Sequence, residues 1–253
     1  MTESIESLKE LIDGCTDEDR KALAGYLKAY IPRHPLEDEW GVDAGTILSA
    51  IRRSSDLTKR GVRGIIAEAV FETDVLPAIV TSGWNCGATP PGDWPFDAIL
   101  VRAGVSIRIQ IKLQRLEKGV PKRYYPNYYP EDLFVVEVQK TRSGQRRSGK
   151  AKITGGKAEA TRPYRFGDFD ILAVNMHPAT HQWNNFRYTV AEWLLPRAAD
   201  RSLIEIFQPV SLVANDAWTD NLATCIEWFL GKEKKQVLQL RHTPHSRQAG
   251  SES

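Results

Sequence analysis

Three side chains in the stretch "PFDAILVRAGVSIRIQIKLQR", Pro95 to Arg115, are of kinds that do chemistry together: the carboxylate of Asp97, the carboxamide of Gln110 and the ammonium of Lys112. An Asp offers a hard anionic oxygen and a Gln a neutral carbonyl oxygen, both suited to a hard divalent cation. A fixed Lys stabilises negative charge that grows on a reacting oxygen. Such groups must lie close together, and the local sequence predicts that they do. "FDAILV" and "VSIRIQIKL" alternate as strands do, and Ala103-Gly104 between them reads as a two-residue turn in which Gly supplies the positive φ. In that register Arg102 faces Val105 and Asp97 faces Gln110. Alternation puts Arg108 and Lys112 on the face of Gln110, while Phe96, Ala98, Leu100, Ile107, Ile109, Ile111 and Leu113 form the core face. Ile99 and Val101 also fall on the mixed face, so only its Asp97 end is polar. A register slip of one residue would spoil the arrangement.

"PFD…QIK" resembles the motif of the PD-(D/E)xK nuclease superfamily, in which an Asp opens one strand and a D/E-x-K tripeptide lies on the next; Gln110 stands where the acid is usual. The core of that family runs helix, three-stranded meander, helix, strand, and its first helix commonly carries an acidic residue. Here "AEAVFE" supplies Glu68 and Glu72, and "FDILAV" looks like the closing strand, so the resemblance spans about residues 61 to 176. It implies an α/β fold: a restriction-endonuclease-like α/β/α core with a central mixed sheet, preceded by an N-terminal helical region. It also implies an enzyme, a Mg²⁺-dependent deoxyribonuclease of type II restriction kind that cuts double-stranded DNA at a specific sequence. Asp97 is then the anchoring metal ligand, Gln110 a neutral one, and Glu68 or Glu72 the source of a second negative charge. Lys112 orients the attacking water or stabilises charge on the phosphorus oxygens. A homodimer is expected from cutting both strands of a palindromic target.

A rival site uses the next candidate strand, "LFVVEVQKT". Glu137 and Gln139 share one face there, and Glu137, Gln139 and Lys140 form an E-x-Q variant of the tripeptide; Glu137 also stands to reach the same metal from the adjacent strand. Two other functions stay open: a repair or junction-resolving nuclease of the same fold, and a DNA-binding protein whose core is inactive, with Gln110 marking the lost acid. A bland reading stands beside them all, since alternating polar residues on a half-exposed antiparallel strand are common without any site.

Between the third and fourth candidate strands, Lys140 to Phe166 carries nine Lys or Arg residues against one acid, Glu159. Lys140, Arg142, Arg146, Arg147, Lys150, Lys152, Arg162 and Arg165 are the expected DNA contacts, because Lys and Arg on phosphate release counterions. Upstream, "EKGVPKRYYPNYYP" sets Tyr124, Tyr125, Tyr128 and Tyr129 beside basic residues, to stack on bases or to pack beneath the segment. His177 and His181 have H-x3-H spacing without an accompanying Glu, and read as surface histidines.

Residues 3 to 31 are predicted helical, with Thr16 opening a second segment and Pro32 and Pro35 stopping it. A helix is expected over "AGTILSAIRR". Another is expected over "GVRGIIAEAVFETDVL", with Val62, Ile65, Ile66, Ala69, Val70 and Leu76 as its apolar stripe and Pro77 as its end or kink. "FRYTVAEWLLP" is a flanking strand or helix, "SLIEIFQPVS" a strand, and "DNLATCIEWFLG" a helix closed by Gly231. The expected division is a helical region over 1–60, a nuclease core over 61–240 with a basic insertion at about 113–166, and a disordered tail over 241–253.

At 253 residues, 42% hydrophobic and 26% charged, the composition is that of a folded globular chain. The net charge of +2 says little about partners. No apolar run approaches the roughly 18 residues of a membrane helix. The acidic start lacks the features of a signal peptide, and three scattered cysteines suggest neither disulfides nor a zinc site, so a cytoplasmic location is expected. No P-loop or dinucleotide fingerprint is present, so no nucleotide cofactor is expected.

Overall fold

The turn at Ala103-Gly104 is where the fold begins to be legible. Both residues have positive φ, 48° and 80°, the type I′ geometry that joins two twisted strands directly. In the computed structural model it joins β2 (Ala98–Arg102) to β3 (Val105–Leu113), with Arg102 opposite Val105 and Ala98 opposite Ile109. β1 (Asn85–Gly87) extends this hairpin on the β2 side. On the other side of β3 lies β9 (Ile171–Asn175), parallel to it, and then β10 (Phe186–Val190), antiparallel. The result is a five-stranded mixed sheet in the order β1-β2-β3-β9-β10.

The structure describes residues 3–28, 30–87, 94–125, 127–129, 131–140 and 162–238. The chain divides into two compact units, Met1–Lys59 and Arg60–Ser253. The first holds α1 (Glu3–Asp13), α2 (Asp17–Leu27), α3 (Pro35–Trp40) and α4 (Ala44–Arg53). Thr16 and Asp19 form the capping box of α2. Pro35, expected to stop a helix, instead opens α3 at its first turn behind the cap of His34, where a missing N–H is harmless. None of this unit's described residues is buried.

In the second unit β3 is the hub. Ile107, Ile109 and Ile111 are buried as expected, and so are Phe96, Ala98 and Leu100. "ILAVN" of β9 is buried on both faces, the pattern of a central parallel strand. The parallel register is locked where β9 begins. Arg108 on β3 meets the Asp170 carboxylate through Nε (3.0 Å) and Nη2 (2.7 Å), and its own N–H donates to Asp170 at 2.8 Å.

Two expectations fail here. The third candidate strand, β6 (Leu133–Glu137), does not complete a meander beside β3; it pairs antiparallel with β11 (Phe207–Ser211) in a separate two-stranded sheet, and β9 takes the place beside β3. β9 is buried along its whole length and fits between covered strands, whereas β6 is partly exposed at Phe134 and Glu137. Short antiparallel pairs complete the unit: β4 (Leu116–Glu117) with β5 (Val120–Pro121), and β7 (Gln139–Lys140) with β8 (Arg162–Pro163).

The second failure concerns the helix before the sheet. α5 (Asp56–Val70) runs through a π-helical turn, Phe71–Val75, into α6 (Leu76–Val80), with Pro77 in the first turn of α6. Ile65, Ile66 and Ala69 of the expected apolar stripe are exposed, while Ala67 and Phe71 are fully buried. Small Ala67 lets the helix approach closely, and Phe71 fills the gap with its ring edge-on to Phe186 at 5.6 Å. α7 (His177–Thr180) follows β9, and α8 (Leu222–Leu230) packs on β9 and β10. At the end of α8, Gly231 stays right-handed and Lys232 takes the positive φ instead. No helix among the described residues is long and apolar enough to cross a membrane.

Candidate active site

Asp97 immediately precedes β2. The Asp97 N–H still donates to the Ile109 carbonyl at 2.9 Å, so the backbone keeps the hairpin register and sets Asp97 opposite Gln110. Its Oδ2 then accepts twice, from the Ile111 N–H at 2.7 Å and from the Gln110 carboxamide. Gln110 is only 1% exposed, so the strand is covered at this point rather than half exposed as the bland reading has it. Its Nε2 has partners, but its Oε1 has none among the described residues. A buried carbonyl oxygen left unsatisfied costs about 1–3 kcal/mol and calls for an explanation.

Lys112, two residues along β3, stands on the same face of the strand, with its ammonium 5.8 Å from the centre of the Tyr164 ring. Burial pulls its pKa below the ordinary lysine value, while the charges of Asp97 and Glu68 pull the other way. Burial likewise pushes the Asp97 carboxyl up, against the pull of Lys112, the Ile111 N–H and the Gln110 amide. Glu68, from α5, is pushed up by burial and then by the charge of Asp97, with Lys112 opposing and Glu72 adding a smaller push. Glu68, Asp97 and Lys112 therefore feel one another. The four residues expected to form a site converge from one helix and one hairpin.

Glu72 is exposed at the π-helical turn. With Asp97, Leu76, Cys86, Gly87, Ala98 and Ile99 it lines a cleft of ≈ 350 Å³. Irregular helical turns of this kind recur at functional sites. At Gly87 a Cβ would meet the methyls of Ile99 and Val101 at 3.2 Å and 3.3 Å, so glycine keeps this wall of the cleft thin.

The rival group lies elsewhere. Glu137 pairs with Arg115 and accepts from Gln139, which occupies both of its oxygens, and its strand belongs to the second sheet. Lys140 is placed in β7 by its backbone alone. Of the expected DNA contacts, Arg142, Arg146, Arg147, Lys150 and Lys152 lie outside the described residues, as does the tail from residue 241. Arg162 is placed in β8 by its backbone. Arg165 is exposed, with Nη1 3.4 Å from the Ser202 hydroxyl. Tyr124 packs with Leu133, Val135 and Leu238 in a small second core, and burial pushes its phenol up to about 12. Tyr125 and Tyr128 remain exposed. His177 stacks on Trp183 at 3.9 Å, with the His181 ring 6.3 Å away.

One residue escaped the sequence reading. Gln114 continues the alternation of Gln110 and Lys112 just past the end of β3, is 1% exposed, and has both amide atoms unpartnered among the described residues. The every-second-residue pattern Gln110, Lys112, Gln114 was the signal available for it.

The donor set fits a hard cation: two carboxylates whose charge is poorly relieved where they stand, and the spare carbonyl oxygen of Gln110. No group of three or more His, Cys, Asp or Glu side chains poised to hold a metal occurs among the described residues.

No protein-family model matches the chain, and no curated protein sequence does either. Among solved structures, the chain is similar to the bacterial homing endonuclease I-Ssp6803I, with a TM-score of 0.32 and 20% identity over 62% of this chain and 79% of that one. A similarity this loose establishes neither a shared fold nor a shared activity.

Proposed function

We propose that the chain is a Mg²⁺-dependent endonuclease that hydrolyses phosphodiester bonds of double-stranded DNA at a specific sequence, in the manner of a type II restriction enzyme. The observation that carries this reading is that Asp97, Glu68 and Lys112 lie close enough to act on one another's charge, with Gln110 bonded to Asp97 and its buried Oε1 without a partner among the described residues. Asp97, Glu68 and the Gln110 carbonyl would hold the ion. When bound, Mg²⁺ neutralises phosphate charge and makes a coordinated water easier to deprotonate. The chain's own residues do the rest. Ile111 and Gln110 fix the Asp97 carboxylate through Oδ2 and leave Oδ1 to act. Lys112 is held near two carboxylates and supplies a fixed positive charge for oxygens that gain negative charge during cleavage. Cutting both strands of a palindrome calls for two such sites, so the working form is proposed to be a homodimer.

The second reading, a DNA-binding protein without cleavage, is favoured by the amide at position 110, which leaves the site one negative charge short. Asp97→Ala separates the two. The nuclease loses Mg²⁺-dependent cleavage while still binding a cognate duplex, whereas wild-type protein that binds tightly in Mg²⁺ and never cuts supports the binder.

A further inference from the structure

We propose that the phosphodiester backbone of the DNA strand being cut tracks along α5, over the sequence Arg60-Gly61-Val62-Arg63-Gly64, towards Glu68. This rests on the nuclease reading and names the surface that presents the substrate. Gly61, Gly64 and Glu68 recur at i, i+3 and i+7 and so share one stripe of the helix, while Arg60 and Arg63 each precede a glycine and border that stripe. A glycine inside a helix costs about 1 kcal/mol relative to alanine. Such residues are usually kept where a neighbour presses close, yet a Cβ at Gly61 or Gly64 would meet nothing within 4 Å among the described residues. The space they leave is therefore open among the described residues, the condition for close approach by a bulky partner.

The charge of the partner follows from the rim. Arg60 and Arg63 are exposed and make no ion pair among the described residues. Each also adds to a wider positive field: burial and then Arg60 depress the guanidinium of Arg115, and burial, then His181 and Arg63, depress the imidazole of His177. Arg115 is offset by Glu137 and Lys122 by Glu117, whereas Arg60 and Arg63 have no such partner among the described residues. Spacing suits a nucleic-acid strand. At 1.5 Å per residue, Arg60 and Arg63 stand about 12 Å and about 8 Å along the helix from Glu68. That is the axial rise of roughly two to four nucleotides of one strand.

The test measures binding of a short fluorescent duplex in EDTA, where cleavage is silent, across a salt series, with melting temperatures recorded in parallel. Arg60→Ala/Arg63→Ala is expected to weaken binding about tenfold and to reduce the salt slope by about two, with Arg60→Lys/Arg63→Lys largely restoring both. Gly64→Leu is expected to raise the melting temperature, as a better helix former, while weakening DNA binding. A purely structural glycine could not give that pairing. Unchanged affinity and slope in the double alanine variant would overturn the proposal while leaving the nuclease reading intact. Wild-type protein with no salt-dependent affinity for DNA would overturn both.

Discussion

Gln110 donates its carboxamide to the same Asp97 oxygen that receives the Ile111 N–H, across a hairpin register that sets the two residues opposite each other. The carboxylate is thereby held by one oxygen, and the carbonyl end of the amide has no partner among the described residues. Gln110→Glu removes that donor and sets a third carboxylate beside Asp97 and Glu68. The metal-free variant is expected to lose about 1–3 kcal/mol of stability, since a buried hydrogen bond is replaced by like-charge repulsion. Thermal shift with and without Mg²⁺ checks this: the variant should melt lower than wild type in EDTA and gain more from Mg²⁺.

Burial raises the pKa of both Asp97 and Glu68 in the folded protein. Between the ordinary carboxylate value of about 4 and the raised folded value, the folded state binds more protons than the unfolded state, so stability falls as pH rises through that window. Urea titrations of wild type and Asp97→Asn in EDTA over that range should show the variant relatively more stable near neutral pH, with the difference closing on acidification. A gap that does not change with pH would contradict the shift.

Glu137 is committed to Arg115 and Gln139 in the second sheet. Glu137→Ala leaves a half-buried guanidinium without its partner, which is expected to cost about 1–3 kcal/mol of stability. Cleavage per folded molecule should stay within about twofold of wild type. A loss of several orders of magnitude in a folded Glu137→Ala variant would move the site to the rival group.

Ala103 has φ of 48°, a region that a β-carbon disfavours and that Asn tolerates better. Ala103→Asn should stabilise the protein by about 0.5 kcal/mol without affecting the site, read as a higher urea midpoint at unchanged m-value.

The hairpin was legible because its information is local: a turn with positive φ, strict alternation on either side, and so a fixed register. The closing strand was legible from the unbroken apolar run of β9. The partner of β6 was not, because alternation over "LFVVEVQ" announces a half-buried strand without naming its neighbour, and the match with Phe207–Ser211 joins distant parts of the chain. The packing face of α5 departs from the stripe that Ile65 and Ile66 suggest, because contact runs through Ala67 and Phe71, a small residue and a large one. Both Glu68 and Glu72 were visible as candidates. What separates them is depth, since one is half-buried beside Asp97 and the other exposed at the cleft.

Cleavage of unmethylated phage DNA by wild type and by Lys112→Ala, each with Mg²⁺ and with EDTA, bears most directly on the proposed function. Discrete bands that need Mg²⁺ and fall by at least about a hundredfold in the folded lysine variant are the expected result. Intact DNA from folded wild-type protein under every metal tried, or bands that persist in Lys112→Ala, would contradict it.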